Sequence, residues 1–192
     1  MALEKLIDFS EIIGKLKVVN RSGWISQVGI TAPESVADHS FRSAILAMCM
    51  GDMLGFDTEK LIRMLLLHDI QETITGDYDY YLKEEIGKQT VKLQERIAIK
   101  NILSRLPTKL KRKYYAIWKE YEDKTTREAM LANDIDKTEM LLQAFEYEKE
   151  GYDSEKLEAF WTSVQSKIKT PIIQDLLALL AYKKTSMRHQ TR

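Results

Sequence analysis

No glycine occurs between Gly87 and Gly151 of this 192-residue chain, and only three prolines, Pro33, Pro107 and Pro171, interrupt it anywhere. A long stretch without breakers, with apolar residues recurring at intervals of three and four, is what amphipathic helices require. That spacing runs through Leu6, Phe9, Ile13 and Leu16, and again through Leu157, Phe160, Trp161, Val164 and Ile168. Strand and hairpin signals are weak, so the fold is expected to be all α. The spacing predicts helices over 2–17, 35–54, 58–72, 83–105, 108–121, 125–149, 153–168 and 171–184. Asp57 and Thr58, Thr108, Thr125 and Asp153 stand at predicted N-termini, and Gly55 and Gly151 stand where helices should stop. Two segments resist the helical reading. Val18 to Glu34 holds Gly23, Gly29 and Pro33, and Thr73 to Leu82 holds Gly76 and an acidic, tyrosine-rich run. Irregular segments inside a helical domain are where binding and catalytic groups collect.

At 44% hydrophobic and 30% charged, a chain of this length can bury a core without disulfide or metal staples. One domain is expected over residues 1–184, followed by a flexible basic tail over 185–192. Equal numbers of basic and acidic residues, 29 each, argue against a dedicated nucleic-acid coat, whose affinity comes from surplus Lys and Arg. The basic run Lys109, Lys111, Arg112 and Lys113 reads as a solvated face. No apolar run approaches the roughly 20 residues of a membrane span, and Glu4, Asp8 and Glu11 break any signal-peptide pattern. The lone Cys49 cannot close an intrachain disulfide, which fits a reducing, cytoplasmic setting. Together with Met48, Met50 and Met53 it is expected to fill the core.

Chemistry concentrates around two of the three histidines, His39 and His68, the third being His189 near the C-terminus. His68 and Asp69 directly follow the apolar run Met64 to Leu67. A carboxylate there is costly unless it is paired, hydrogen-bonded or bound to a cation. Glu72 lies four residues after His68 and three after Asp69, on the same helical face, and Asp77 follows Gly76 in the loop. His39 opens another helix behind Ser35 and Asp38, while Asp134 and Asp136 lie within a later one. Two imidazoles and two carboxylates from three helices make a nitrogen and oxygen set suited to a divalent cation, with positions left open for water and substrate. A structural zinc site would call for more cysteine. By position alone Asp134 and Asp136 are alternatives, about 200° apart around a helix.

Several segments resemble the motifs of the HD-domain superfamily: Pro33-Glu34-Ser35-Val36-Ala37-Asp38-His39-Ser40, Leu67-His68-Asp69-Ile70-Gln71-Glu72-Thr73, Gly76-Asp77 and Asp136. More narrowly, with Asn20-Arg21, Trp24, Trp118-Lys119-Glu120-Tyr121-Glu122 and Phe145-Glu146-Tyr147-Glu148, the chain resembles the branch of YfbR-type 5′-deoxynucleotidases and the HD-domain-containing protein 2 family. The resemblance implies a helical HD fold and one divalent metal ion (Mn, Co, Mg, Zn, Ni or Fe) held by His39, His68, Asp69 and Asp136. Asp136 is preferred to Asp134 because the Lys-Thr-Glu-Met that follows it matches the family pattern. It further implies hydrolysis of deoxynucleoside 5′-monophosphates to deoxynucleosides and phosphate, by a homodimer. Glu72 is then the expected base or water-orienting group, and Asp77 a group that positions water or protonates the leaving 5′ oxygen. Arg21 is expected on the phosphate and Trp24 against the sugar or base. Ser22 and Gly23 separate these two residues, which are adjacent in the bacterial members but share this spacing in the other branch. Trp118, Trp161 and Leu177 exceed what one core is expected to hold, as at a dimer interface. The alternatives are another HD phosphohydrolase, acting on a cyclic nucleotide or a triphosphate, and a nucleotide-binding helical module of low turnover.

Overall fold

Helices begin where a side chain can satisfy an otherwise orphaned amide. In the computed structural model, which describes residues 2–190 and the side chains of residues 3–188, Ser35 caps a helix by accepting from Asp38 N at 3.1 Å. Asp38 returns the bond by accepting from Ser35 N at 2.9 Å. Asp57, Asp79, Thr126 and Asp153 cap four further helices in the same way. The helices are α1 (Ala2–Gly14), α2 (Val36–Leu54), α3 (Thr58–Leu67), α4 (Glu72–Thr75) and α5 (Tyr80–Ile86). They continue as α6 (Lys88–Leu103), α7 (Thr108–Asp123), α8 (Arg127–Lys149), α9 (Ser154–Gln165) and α10 (Pro171–Gln190). Among the described residues the only β pairing is an isolated bridge between Asn20 and Ser35. The all-α expectation holds.

Helices α2, α3 and α8 pack on one another and carry α9 and α10 outside them, around a core that includes Leu61, Met64, Leu131, Ile135 and Trp161. A second core joins the end of the first helical segment to α6 and α7 through Leu16, Ile99, Ile102, Leu103 and Trp118. Trp118, Trp161 and Leu177 are all buried in these two cores. The surplus of apolar residues expected at an interface is therefore absorbed within the chain. Cys49, by contrast, is exposed, as are Met48 and Met53; of that group only Met50 packs against the core.

The helix expected over 58–72 ends at Leu67, and the chain tightens into bonds from Ile70 N to Leu67 O at 3.4 Å, Glu72 N to Asp69 O at 3.0 Å and Thr73 N to Ile70 O at 3.3 Å. Bonds over three residues bring positions i and i+3 into register, so Asp69 and Glu72 are aligned by the tighter turn rather than by a continuous α-helix. The helix expected over 83–105 is interrupted at Gly87, whose φ of 88° favours glycine. The segment expected to be irregular between Val18 and Glu34 contains a π-helical turn, Trp24–Val28. The tail expected from residue 185 is helical to Gln190, because its cations find carboxylates on neighbouring helices. Lys184 is buried and donates to Glu158 at 2.8 Å, and Arg188 pairs with Glu148 and Glu158. Thr191 and Arg192 lie outside the described residues.

Candidate metal centre

The Ser35 cap fixes the start of α2 and so directs His39, one turn later, toward α3 and α8. His68 ends α3, Asp69 follows in the tightened turn, and Asp136 projects from the middle of α8. His39, His68 and Asp136 offer ligand atoms that all lie within 4.8 Å of one another, and Asp69 stands beside them. His39 Nε2 lies 3.3 Å from His68 Nε2 and 3.1 Å from Asp136 Oδ1. Asp69 Oδ2 lies 3.0 Å from His68 Nε2 and 3.9 Å from His39 Nε2, and His68 Nε2 lies 3.8 Å from Asp136 Oδ1. Both histidines are essentially inaccessible to solvent, and both aspartates are partly open to a cleft.

His39, His68 and Asp136 are also held from behind, and Arg21 shares the inward oxygen of Asp69. His39 Nδ1 contacts Glu139 Oε2, and His68 Nδ1 donates to the Leu65 carbonyl at 2.8 Å. Tyr121 donates its hydroxyl proton to Asp136 Oδ2 at 2.9 Å, and Arg21 Nη1 donates to Asp69 Oδ2 at 3.5 Å. With both Nδ1 atoms engaged outward, the two Nε2 atoms face inward. Each inward nitrogen faces a carboxylate oxygen, so the cluster is satisfied either by protons on the imidazoles or by one cation among the nitrogen and oxygen donors. The donor set therefore fits a divalent ion, and the outward hydrogen bonds are of the kind that orient metal ligands.

The same crowding shifts the acid-base chemistry. Burial opposes ionisation of Asp69, but the His68 imidazole and the Arg21 guanidinium outweigh it and hold the carboxyl at about 2. Asp136 is pushed lower still, its burial overcome by the His39 hydrogen bond and the charge of His68. Burial and Arg21 lower the His39 pKa, yet its bonds to Asp136 and Glu139 dominate and raise it to about 10. Protons on the histidines thus balance the aspartates wherever a metal does not.

Asp134 is not at this place. Its Oδ2 accepts from Lys169 N at 2.9 Å, Thr170 N at 2.8 Å and Thr170 Oγ1 at 2.8 Å, which anchors the entry to α10. Of the two aspartates, it is Asp136 that reaches the histidine pair.

An open cleft of about 490 Å³ lies over the cluster, with Arg21, Trp24, Glu72, Asp77, Lys83 and Phe160 on its walls. Glu72 is only 7% exposed, and its Oε2 has no hydrogen-bond partner. Burial, then the negative charges of Asp69 and Asp77, raise its pKa well above the ordinary carboxyl value. Asp77 accepts from Ser22 N at 2.6 Å and Ser22 Oγ at 3.0 Å, tying its loop to the segment that carries Arg21. Trp24 is 1% exposed, tilted on Phe160 at 4.4 Å and donating its indole N–H to Glu34 Oε1 at 2.9 Å. It contributes an apolar wall, with its one donor already used. Tyr78 and Tyr80 also reach the cleft.

Four residues of this arrangement receive no role from the sequence, Glu139, Arg42, Tyr121 and Lys83, although Tyr121 and Glu139 fall inside segments that carry the resemblance. Arg42 donates to Glu139, Gln143 and Glu146 and so fixes the carboxylate behind His39. The available signal is spacing, since Arg42 follows His39 by three residues and Glu139 follows Asp136 by three, which puts each pair on one helical face.

Residues 13–177 match the HD domain family. The chain is 36% identical over 184 residues to a 5′-deoxynucleotidase HDDC2 of Dictyostelium discoideum, covering 91% of this chain and 95% of that one. It is 35% identical over 175 residues to the 5′-deoxynucleotidase HDDC2 of Homo sapiens, covering 91% and 84%. A conserved hypothetical protein from Pyrococcus furiosus shares the fold with a TM-score of 0.76 and 31% identity, over 92% of this chain and 97% of that one. The match spans the helices that supply both histidines and both aspartates, and on that footing the chain belongs to the HD domain family.

Proposed function

We propose that this protein is a metal-dependent 5′-deoxynucleotidase that hydrolyses deoxynucleoside 5′-monophosphates to deoxynucleosides and inorganic phosphate. The names of the relatives support the substrate class. The observation that carries the chemistry is the buried Glu72 carboxyl, one oxygen without a partner, facing the same cleft as Arg21 and the cluster of His39, His68 and Asp136 with Asp69 beside it. Those four residues would hold a divalent ion, which when bound supplies Lewis acidity toward a phosphoryl oxygen and toward water. The mixed nitrogen and oxygen donors suit Mn, Co, Fe, Ni or Zn.

The chain's own groups do the rest. Arg21, a permanent cation with several planar donors, binds the phosphate oxygens and offsets charge that grows in the transition state. Glu72 takes a proton from the attacking water as the new P–O bond forms; its raised pKa brings it nearer the working pH of a general base. The bond from phosphorus to the 5′ oxygen then breaks, and that oxygen takes up a proton, with Asp77 and Glu72 the carboxyls on the cleft wall able to deliver it. Asp77 also holds Ser22 and hence the Arg21 segment in place. Trp24 and Phe160 give the nucleoside an apolar wall.

We place the active form as a homodimer. Phe41, Ile45 and Met48 form an exposed apolar stripe on α2, spaced four and three residues apart, of the kind a partner helix covers. The single, exposed cysteine suits the reducing cytoplasm.

Phosphate release from a panel of deoxynucleoside and ribonucleoside monophosphates, with Mn²⁺ or Co²⁺ restored to chelator-stripped protein, tests the activity. Glu72→Ala should lower turnover at least about a hundredfold, the lower range for a positioned general base, while binding metal at wild-type stoichiometry. No release from any member of the panel by metal-loaded wild-type protein would overturn the reading.

A further inference from the structure

Four cations line the cleft: Arg21, Lys83, Lys137 and Lys167. Their surroundings separate their roles. Arg21 already reaches Asp69 at 3.5 Å. Lys137 donates to the side-chain oxygen of Asn133, one turn back on α8. Lys167 is exposed to solvent at the far wall. Lys83 differs from all three. It rises from α5 and is half-buried, and its ammonium makes no ion pair or hydrogen bond with any described residue, although Asp77, Asp69 and Glu72 bear on it electrostatically. Its helix is fixed to the same loop as Asp77, since Asp79 caps α5 by accepting from Leu82 N at 2.8 Å.

Charge shows what that ammonium lacks. Five carboxyls, Asp69, Glu72, Asp77, Asp79 and Asp136, line the cleft, so a divalent ion and Arg21 leave little positive charge for a dianionic phosphate. A partly desolvated ammonium on the wall of the same cleft, with no described carboxylate within ion-pair distance, can supply it. We propose that Lys83 is a second phosphate-binding cation, gripping the substrate's phosphate from the α5 side of the cleft. The inference rests on the reading of the cleft as a phosphomonoester site and adds to it the residue that makes binding depend on a dianionic head. A neutral or singly charged ester gains less from Lys83, so discrimination between monoesters and diesters falls in part to this side chain.

The experiment pairs two readouts on metal-loaded protein: calorimetric titration with inorganic phosphate, and steady-state kinetics with a deoxynucleoside monophosphate. In Lys83→Met, phosphate affinity should fall by about tenfold and KM rise by about the same factor, the loss of one charge-assisted hydrogen bond. Product inhibition by phosphate should weaken in parallel, kcat should stay within about threefold, and Lys83→Arg should restore most of the affinity. Lys83→Gln serves where the methionine variant folds poorly. Unchanged phosphate affinity and KM in the folded Met and Gln variants overturns the proposal, as does a large fall in kcat with affinity intact. Absence of turnover in the wild type would sink the activity and not Lys83, because the calorimetric arm still reads the phosphate contact.

Discussion

Glu72 carries a carboxyl that the fold buries and leaves without a partner on one oxygen, beside two aspartates. Such a group favours its protonated form in the folded chain and is held there at a cost to stability once it must ionise. The sign follows from the raised pKa. The protonated carboxyl is tolerated below the unfolded value near 4.5, and stability is lost as pH rises through the higher folded value. Metal-free Glu72→Gln should therefore melt above wild type at pH 8, by at least about 2 °C, which is what roughly 1 kcal/mol amounts to in a chain this long. Near pH 4.5 the difference should shrink. Thermal unfolding followed by circular dichroism at the two pH values decides it, and a gain that is equal at both contradicts the assignment of strain to the ionised carboxyl. At this scale the sequence was legible where residue type limits chemistry: the chain has three histidines, and His39 and His68 meet in the structure. It was illegible for Glu139 and Arg42. A charged residue on a helix reads as solvated, and only tertiary packing turns both inward onto His39. Asp134 was undecided for the same reason, since its partners are amides 35 and 36 residues away.

Helix positions were legible because periodicity and caps are local, and the chain's long glycine-free middle became α6, α7 and α8 with the break at Pro107 where it was expected. What escaped was decided by contact between elements. The turn after Leu67 tightens where α3 meets the cleft, and α10 outlasts its expected end because Glu148 and Glu158 lie on α8 and α9. A close approach of α2 and α3 has its own signature in Gly51 on α2. A Cβ there would lie 2.6 Å from Thr58 Oγ1 and 3.1 Å from the Thr58 Cα at the start of α3. Alanine favours a helix over glycine by about 1 kcal/mol, yet forcing atoms into a packed crossing costs about 1–3 kcal/mol. The second effect wins here, because one of the two obstacles is backbone and cannot rotate away. Gly51→Ala should accordingly lower the melting temperature by about 2–4 °C or more. A melting temperature at or above wild type would mean that α2 and α3 shift apart freely, and the His39 to His68 geometry would then be softer than its hydrogen bonds imply.

His39 and Asp136 are 97 residues apart in sequence, and their meeting joins α2, the turn beyond α3 and α8 at one point. Without a cation that junction relies on protonated imidazoles between carboxylates, a balance that weakens as pH rises from about 6.5, the unfolded histidine value, toward the raised value of about 10 at His39. An ion bound only by the folded chain stabilises it by mass action, about 2.7 kcal/mol when free metal stands a hundredfold above its dissociation constant. In a domain of this size that corresponds to a rise of roughly 5–10 °C in melting temperature. Chelator-stripped wild-type protein should show that rise on addition of Mn²⁺ or Co²⁺, more strongly at pH 8 than at pH 6, because fewer protons then compete for the imidazoles. His68→Ala removes one inward nitrogen and leaves the two core clusters otherwise intact, so it should keep a cooperative transition but lose most of the metal-dependent shift. Retention of the full shift in that variant would place the stabilising ion elsewhere on the molecule, and the three helices would then owe their alignment to apolar packing alone.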